Sequence, residues 1–212
     1  MARIKTSSLT VSNAGQLRNV TLLASTKSVG RSPTGSSVEF DGLQDLVFDP
    51  DIVTFQVQPE SIYVWVAGIR HRYTPDARCV RRNGEVEYRE FKLDASELDA
   101  DYLLLLDAVT AHYRQRGQVF KLVAAKELRS GHRMDNIRAL RRYRDWPVPM
   151  SLRRQVQAEL NSRSDIGLGE LQALVGPVGL GALYRLLFDG DLLVDLNVRR
   201  LDAQTAVWGV RP

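Results

Sequence analysis

Apolar and polar positions change rhythm several times along the chain, and each change marks an element. Leu43, Leu46 and Val47 share one stripe of residues 37–49, which predicts a helix that Asp49-Pro50 ends. Val53, Phe55 and Val57 then alternate with Thr54, Gln56 and Gln58, so residues 52–58 are expected as a strand. Residues 62–66 form a richer β run, and Ala67-Gly68 turns it into residues 70–73. A second hairpin follows over 73–92. Leu103, Leu104, Leu106, Val109 and Tyr113 return to the helical period and predict a helix over 98–116. Residues 119–124 read as a buried strand and 135–144 as a basic helix. This alternation is that of a mixed α/β layer.

Asp145-Trp146-Pro147-Val148-Pro149 reads as a linker, because two prolines resist continuing the helix. Beyond it, 151–161, 169–175 and 180–189 are helical in pattern, and 192–198 with 205–210 form a two-stranded wing. Three helices and a hairpin in this order suggest a winged helix. Residues 1–35, rich in Ser, Thr, Asn and Gly, are expected to carry little regular structure. Three regions result: a basic segment 1–35, an α/β domain 36–146, and a smaller domain 147–212.

Charge sharpens this division. Residues 1–38 contain no Asp or Glu but hold Arg3, Lys5, Arg18, Lys27 and Arg31. Residues 129–144 form a second basic run, in which Arg133, Arg138, Arg141 and Arg142 are the candidate phosphate contacts. From Pro147 onward the charges cancel. The first two-thirds of the chain is therefore the part suited to a polyanion. A single cysteine, Cys79, excludes an internal disulfide and a cysteine-rich zinc site, and it is expected to serve packing. The N-terminus lacks the apolar run of a signal peptide, and no stretch approaches the ~20 apolar residues of a membrane span. A cytoplasmic protein without membrane contact is expected. No phosphate-cradling glycine loop is present, so nucleotide hydrolysis is not indicated.

The chemistry concentrates in Y-T-P-D-A-R-C-V-R-R-N-G-E-V-E-Y-R-E-F-K, residues 73–92. Val86, Tyr88, Glu90 and Lys92 share one face of the second strand. A two-residue Asn83-Gly84 loop would pair Asp76 with Phe91, on the wrong face. A three-residue loop, Arg82-Asn83-Gly84, pairs Asp76 with Glu90, and it needs a left-handed glycine at its last position. Gly84 stands there, so the three-residue loop is expected. Asp76, Glu90 and Lys92 then converge. Two close carboxylates repel unless a hard divalent cation is bound between them, and Mg²⁺ suits such oxygen ligands. A lysine beside them can orient water or offset transition-state charge. Glu39 joins them from the stripe of the first helix, as a third ligand or as the holder of a ligating water. Glu-x-Lys alone is common and cross-strand Glu/Lys pairs are ordinary sheet chemistry. The added Glu39 and the α/β order favour a phosphodiester-hydrolysing site. His71 reads as a strand-edge residue.

Several of these stretches resemble the TnsA-type endonuclease subunit of heteromeric transposases, in the PD-(D/E)xK nuclease superfamily. V-E-F-D-G-L-Q-D-L-V-F-D-P-D-I-V-T-F-Q-V-Q-P (38–59) is similar to its opening helix and first strand. R-Y-T-P-D (72–76) and E-F-K (90–92) match its nuclease motifs, and N-I-R-A-L-R-R-Y (136–143) resembles the helix after its last core strand. The resemblance covers roughly residues 18–145. It implies a restriction-endonuclease-like core that cuts the 5′ ends of a mobile element beside a DDE transposase, TnsB. It implies Mg²⁺, for which Mn²⁺ would substitute. It further implies an acidic site of Glu39, Asp76 and Glu90, with Lys92 as catalytic lysine and the Phe91 carbonyl touching the metal.

In the second domain the would-be recognition helix has Arg185 as its only cation, so it is poorly equipped to neutralise phosphates. Protein docking is expected there, and the resemblance implies the ATPase regulator TnsC as the partner. Two alternatives stay open: a stand-alone restriction or repair nuclease on the same core, and a non-catalytic DNA-binding assembly factor.

Overall fold

The computed structural model describes residues 21–22, 25–30, 33–94, 96, 98–163, 165–176 and 179–209. By internal contact the chain divides into two units, the first ending at Leu128 and the second beginning at Arg129.

The first unit is a mixed α/β fold. β1 (Thr21–Leu22) pairs antiparallel with β2 (Pro33–Thr34). Helix α1 (Ser37–Phe48) starts where the Ser36 side chain accepts the Glu39 N–H, an N-cap that satisfies an otherwise orphaned donor. Next come β3 (Ile52–Val57), the hairpin β4 (Ile62–Val66) and β5 (Ile69–Tyr73), then β6 (Ala77–Arg81) and β7 (Val86–Lys92). Asp99 caps α2 (Ala100–Arg114) by accepting the Tyr102 N–H, and β8 (Val119–Ala124) leads directly into the short α3 (Ala125–Arg129). The main sheet has the order β3-β6-β7-β8. Its first two pairings are antiparallel, and β7 pairs with β8 in parallel, across the α2 crossover. β4 and β5 do not extend this sheet but form one of their own.

Apolar side chains are buried on both faces of the main sheet. Phe55, Ala77, Cys79 and Phe91 lie on one face, and α1 packs there with Leu43 and Leu46. Cys79 has no exposed surface, which fits its expected packing role. At Gly42 the helix comes so close that a Cβ would stand 2.3 Å from the Phe91 ring. On the other face Tyr88, Phe120 and Leu122 meet Leu105, Leu106, Val109 and Tyr113 of α2 and Val64 and Tyr73 of the hairpin. His71 lies on β5, an edge strand of the two-stranded sheet, as expected, with its side chain turned inward opposite Val64 and buried.

Residues 1–20 of the basic N-terminal segment, with Arg3, Lys5 and Arg18, lie outside the described residues, as does Arg31. The described remainder is more regular than its composition suggests. Besides the β1–β2 pairing, the Val29 N–H donates to the Phe55 carbonyl (2.8 Å) and the Phe55 N–H to the Lys27 carbonyl (2.9 Å). The segment thus runs along β3.

The second unit contains α4 (Arg133–Arg141), α5 (Met150–Ser162), β9 (Ile166–Gly167), α6 (Leu168–Val175), α7 (Gly179–Asp189), β10 (Leu192–Val194) and β11 (Ala206–Gly209). The three strands form an antiparallel sheet in the order β10-β11-β9. β10 is shorter than its apolar run because the Asp195 side chain accepts the Asn197 N–H and turns the chain. By internal contact the division between units falls before α4, for a specific reason. The buried Asn136 amide donates to the carbonyls of Leu196 (2.9 Å) and Arg199 (2.8 Å), and its oxygen accepts the Leu201 N–H (3.0 Å). These bonds fasten α4 to the C-terminal unit. No helix among the described residues is long and apolar enough to cross a membrane.

Candidate active site

The β6–β7 turn sets the site. The Arg81 N–H donates to the Glu85 carbonyl and the Gly84 N–H to the Arg81 carbonyl, with Gly84 at φ +83. This is the three-residue loop, closed by a glycine in the left-handed region. The register follows, with Ala77 opposite Arg89 and Arg78 opposite Tyr88. One step further, Asp76 stands opposite Glu90. A one-residue slip would put the two carboxylates on opposite faces.

Each carboxylate is held differently. Asp76 Oδ2 accepts the Phe91 N–H at 2.7 Å. Glu90 is buried, and its Oε1 accepts both the Tyr102 hydroxyl (2.9 Å) and the Lys92 ammonium (2.6 Å). Its other oxygen, Oε2, is buried with no hydrogen-bond partner among the described residues. Lys92 Nζ also lies 5.1 Å from the Tyr102 ring centroid. Tyr73 brings a further buried hydroxyl, kept a phenol by burial and by Glu90 close beside it, although the two fall short of full hydrogen-bond geometry.

The electrostatics follow from this crowding. Burial and the neighbouring Glu90 charge push the Asp76 carboxyl up to about 8; the Phe91 N–H opposes this, and Glu39 adds to it. Burial would lower the Lys92 ammonium, but the Glu90 carboxylate overrides it and holds the lysine protonated far above neutrality. Burial, with Glu90 beside it, likewise keeps Tyr102 a phenol. The site is thus an acid-rich cluster with one fixed cation and a carboxylate oxygen that has no hydrogen-bond partner among the described residues.

Glu39 is placed by its own helix start. Its Oε2 accepts the Gly35 N–H (2.8 Å) and its Oε1 the Ser36 hydroxyl (3.0 Å), while its backbone N–H bonds back to Ser36. This is a variant of the capping box. Glu39 therefore has a local structural task, and it stands within electrostatic reach of Asp76. Among the described residues no three His, Cys, Asp or Glu side chains are gathered at metal-ligating spacing. The candidate cation pair is Asp76 and Glu90. It fits a hard divalent ion, which commonly binds through one or two carboxylates and keeps several waters. The unpartnered Glu90 Oε2 and the raised Asp76 are what a cation there would relieve.

The other face of β7 carries a distinct cluster. Glu87 is buried and meets Arg89 (2.6 Å), Lys121 (2.6 Å) and Arg81 (3.3 Å), while Arg89 reaches Asp45 and Asp49 of the α1 layer. Its charges pair internally, which marks it as scaffold.

The structure brings Asp76, Glu90, Phe91 and Lys92 together and adds Tyr102 and Tyr73, which sequence reasoning did not single out. Arg133, Arg138, Arg141 and Arg142 belong to the second unit, on and just after α4; Arg138 pairs with Asp135. In the same unit Arg185 is tied to Asp189 at 2.9 Å, Arg199 to Asp202, and Arg200 to Asp135 at 3.3 Å. No protein-family model matches the chain, and no curated protein sequence matches it.

Proposed function

We propose that this chain is a metal-dependent DNA endonuclease, and that it serves as the TnsA-type subunit that cuts the 5′ ends of a mobile element beside a DDE transposase. The carrying observation is the β6–β7 hairpin, on which two carboxylates and an ammonium share one end of one face, with one buried Glu90 oxygen lacking a hydrogen-bond partner among the described residues. On this reading the first unit is a restriction-endonuclease-like core.

Asp76, Glu90 and the Phe91 carbonyl would hold Mg²⁺ or Mn²⁺, and Glu39 a ligating water. Such an ion, when bound, lowers the pKa of a water and stabilises charge on a phosphoryl oxygen. The chain's own residues prepare the rest. The Phe91 N–H fixes one Asp76 oxygen, and the Tyr102 hydroxyl fixes Glu90 Oε1. Lys92, paired with Glu90 at 2.6 Å, is placed to orient the attacking water or to offset transition-state charge. Asp76 must lose its proton to bind a cation, so affinity rises with pH up to about 8.

The second unit is read as a winged-helix-like domain that docks a protein, the ATPase regulator TnsC by resemblance. The support is its paired arginines: Arg185, Arg199 and Arg200 each have a carboxylate partner, which leaves little charge for phosphates. DNA contact is assigned to the basic run around Arg133, Arg138, Arg141 and Arg142 at the start of the same unit, where six arginines stand against two aspartates over residues 129–145.

Strand cleavage of labelled element-end DNA with Mg²⁺, partner transposase and ATPase tests the proposal. Loss of 5′ cuts in Asp76→Ala and Lys92→Ala, with 3′ cuts retained, supports it; 5′ cutting that survives both substitutions overturns it. Calorimetric Mn²⁺ binding that is absent in Asp76→Ala separates the nuclease from a non-catalytic assembly factor. Cutting without partners would point to a stand-alone nuclease.

A further inference from the structure

The β4–β5 hairpin has one face too costly for a cover alone. Val64, His71 and Tyr73 point inward and are buried, with Val64 and Tyr73 packed on α2. The opposite face carries Tyr63 and Trp65 on β4, directly across from Arg72 and Arg70 on β5. Trp65 is 67% exposed and Tyr63 50%, on strands whose inner face is firmly anchored. A hairpin that only capped α2 would be expected to carry small polar groups there. Instead ring and guanidinium alternate across the two strands, and Arg70 lies 3.8 Å over the Tyr63 ring centroid.

We propose that this outer face binds an unpaired DNA strand. Flat aromatic side chains stack on bases whatever their identity, and guanidinium groups meet phosphates while stacking on rings themselves. Both requirements are present within one two-stranded patch. Neither Arg70 nor Arg72 has an ion-pair partner among the described residues, and residues 61–75 contain no Asp or Glu. The face therefore presents uncompensated positive charge. A duplex hides the flat faces of its bases and offers mainly phosphates and edges, so the two exposed rings select a strand that is unpaired. A protein partner would also use Trp, Tyr and Arg. The lack of any carboxylate on the patch, and its covalent continuity with the site, favour DNA. Strand β5 runs through Thr74 and Pro75 straight into Asp76. The proposal deepens the nuclease reading by giving a strand near the cut a place to lie, yet the binding is measurable without cleavage.

The test is fluorescence anisotropy of the full chain, in chelator, with a labelled oligothymidine of about 15 nucleotides and a duplex of equal length. The wild type is expected to bind the single strand more tightly than the duplex. Trp65→Ala is expected to weaken single-strand binding roughly ten-fold and to change duplex binding little. Arg70→Gln with Arg72→Gln is expected to weaken both and to flatten the salt dependence. All three side chains are exposed, and unchanged circular dichroism verifies that each variant folds. No single-strand binding by the wild type, no preference over duplex, or full single-strand affinity in folded Trp65→Ala would each overturn the proposal. Failure of the nuclease reading would show elsewhere, as absent Mn²⁺ binding and absent cutting with the hairpin's DNA affinity intact.

Discussion

Replacing Asp76 with asparagine should make the metal-free fold more stable in mild alkali, although it removes a side chain of the site. The reason is the cost of a buried charge. Asp76 titrates at an ordinary 3.8 when exposed and at about 8 in the fold. About four pH units separate these values, worth roughly 6 kcal/mol at about 1.4 kcal/mol per unit. Between them the folded chain holds a proton that the unfolded chain has released. The contribution of Asp76 to wild-type stability therefore falls as pH rises from about 4 to about 8 and levels off above that. At pH 5 only about one of those four units has been lost. Asparagine cannot ionise, and its amide oxygen can still accept the Phe91 N–H now held at 2.7 Å. The stability of Asp76→Asn relative to wild type should thus improve by about 4 kcal/mol between pH 5 and pH 9. Hydrogen exchange of the β6–β7 amides, with both chains in chelator at each pH, reads this locally and cancels the intrinsic pH dependence of exchange. Mg²⁺ should restore protection to the wild type at pH 9 and do little for the variant. An equal loss of protection at both pH values would refute the reasoning, because Asp76 would then not be carrying an uncompensated charge.

Gly42→Ala should destabilise the fold by about 1–3 kcal/mol, since the ~1 kcal/mol gain in helix propensity is outweighed by a Cβ 2.3 Å from the buried Phe91 ring; a raised melting temperature would contradict this. Tyr102→Phe should keep stability within about 1 kcal/mol but weaken Mn²⁺ binding about ten-fold by calorimetry, because Glu90 loses an orienting donor; unchanged affinity would reduce Tyr102 to packing. Glu87→Gln should cost about 3 kcal/mol in urea unfolding at pH 7, because Arg89 and Lys121 lose their shared partner. Those cations hold Glu87 below its ordinary 4.5 against the effect of burial, so its contribution is present above that value and lost as pH falls further. The gap between wild type and variant should accordingly narrow in acid, and a gap independent of pH would sink that account.

The hairpin was legible because its information is local. Gly84 demanded the left-handed position, that position fixed the loop, and the loop fixed which face Asp76 takes. Tyr102 was not legible, because its hydroxyl reaches Glu90 only through the angle at which α2 crosses the sheet. Periodicity did not show the local task of Glu39: Ser36-x-x-Glu39 also spells a helix start, and the carboxylate bonds there while it stands within electrostatic reach of Asp76. The attachment of α4 was not legible for the opposite reason. Two prolines are conspicuous at 147 and 149, while Asn136 gives no sequence hint that its amide will be spent on Leu196 and Arg199. The separate β4–β5 sheet also escaped, since alternation shows that a strand exists and not which strand it joins.

The turn at Arg82-Asn83-Gly84 also bears on the order in which the molecule comes together. A short hairpin closes on the order of microseconds, whereas parallel pairing must wait for a long intervening segment to loop back. β6 and β7 are joined by a few residues, but β7 reaches β8 only after all of α2 has been placed. The opposed carboxylates of Asp76 and Glu90 are therefore expected to meet early, in a nascent hairpin still open to water, where their repulsion is screened. Burial comes later, when α2 lays Tyr102 and its apolar stripe over them. The electrostatic cost of the site thus falls on the last stage of folding, at the docking of one helix.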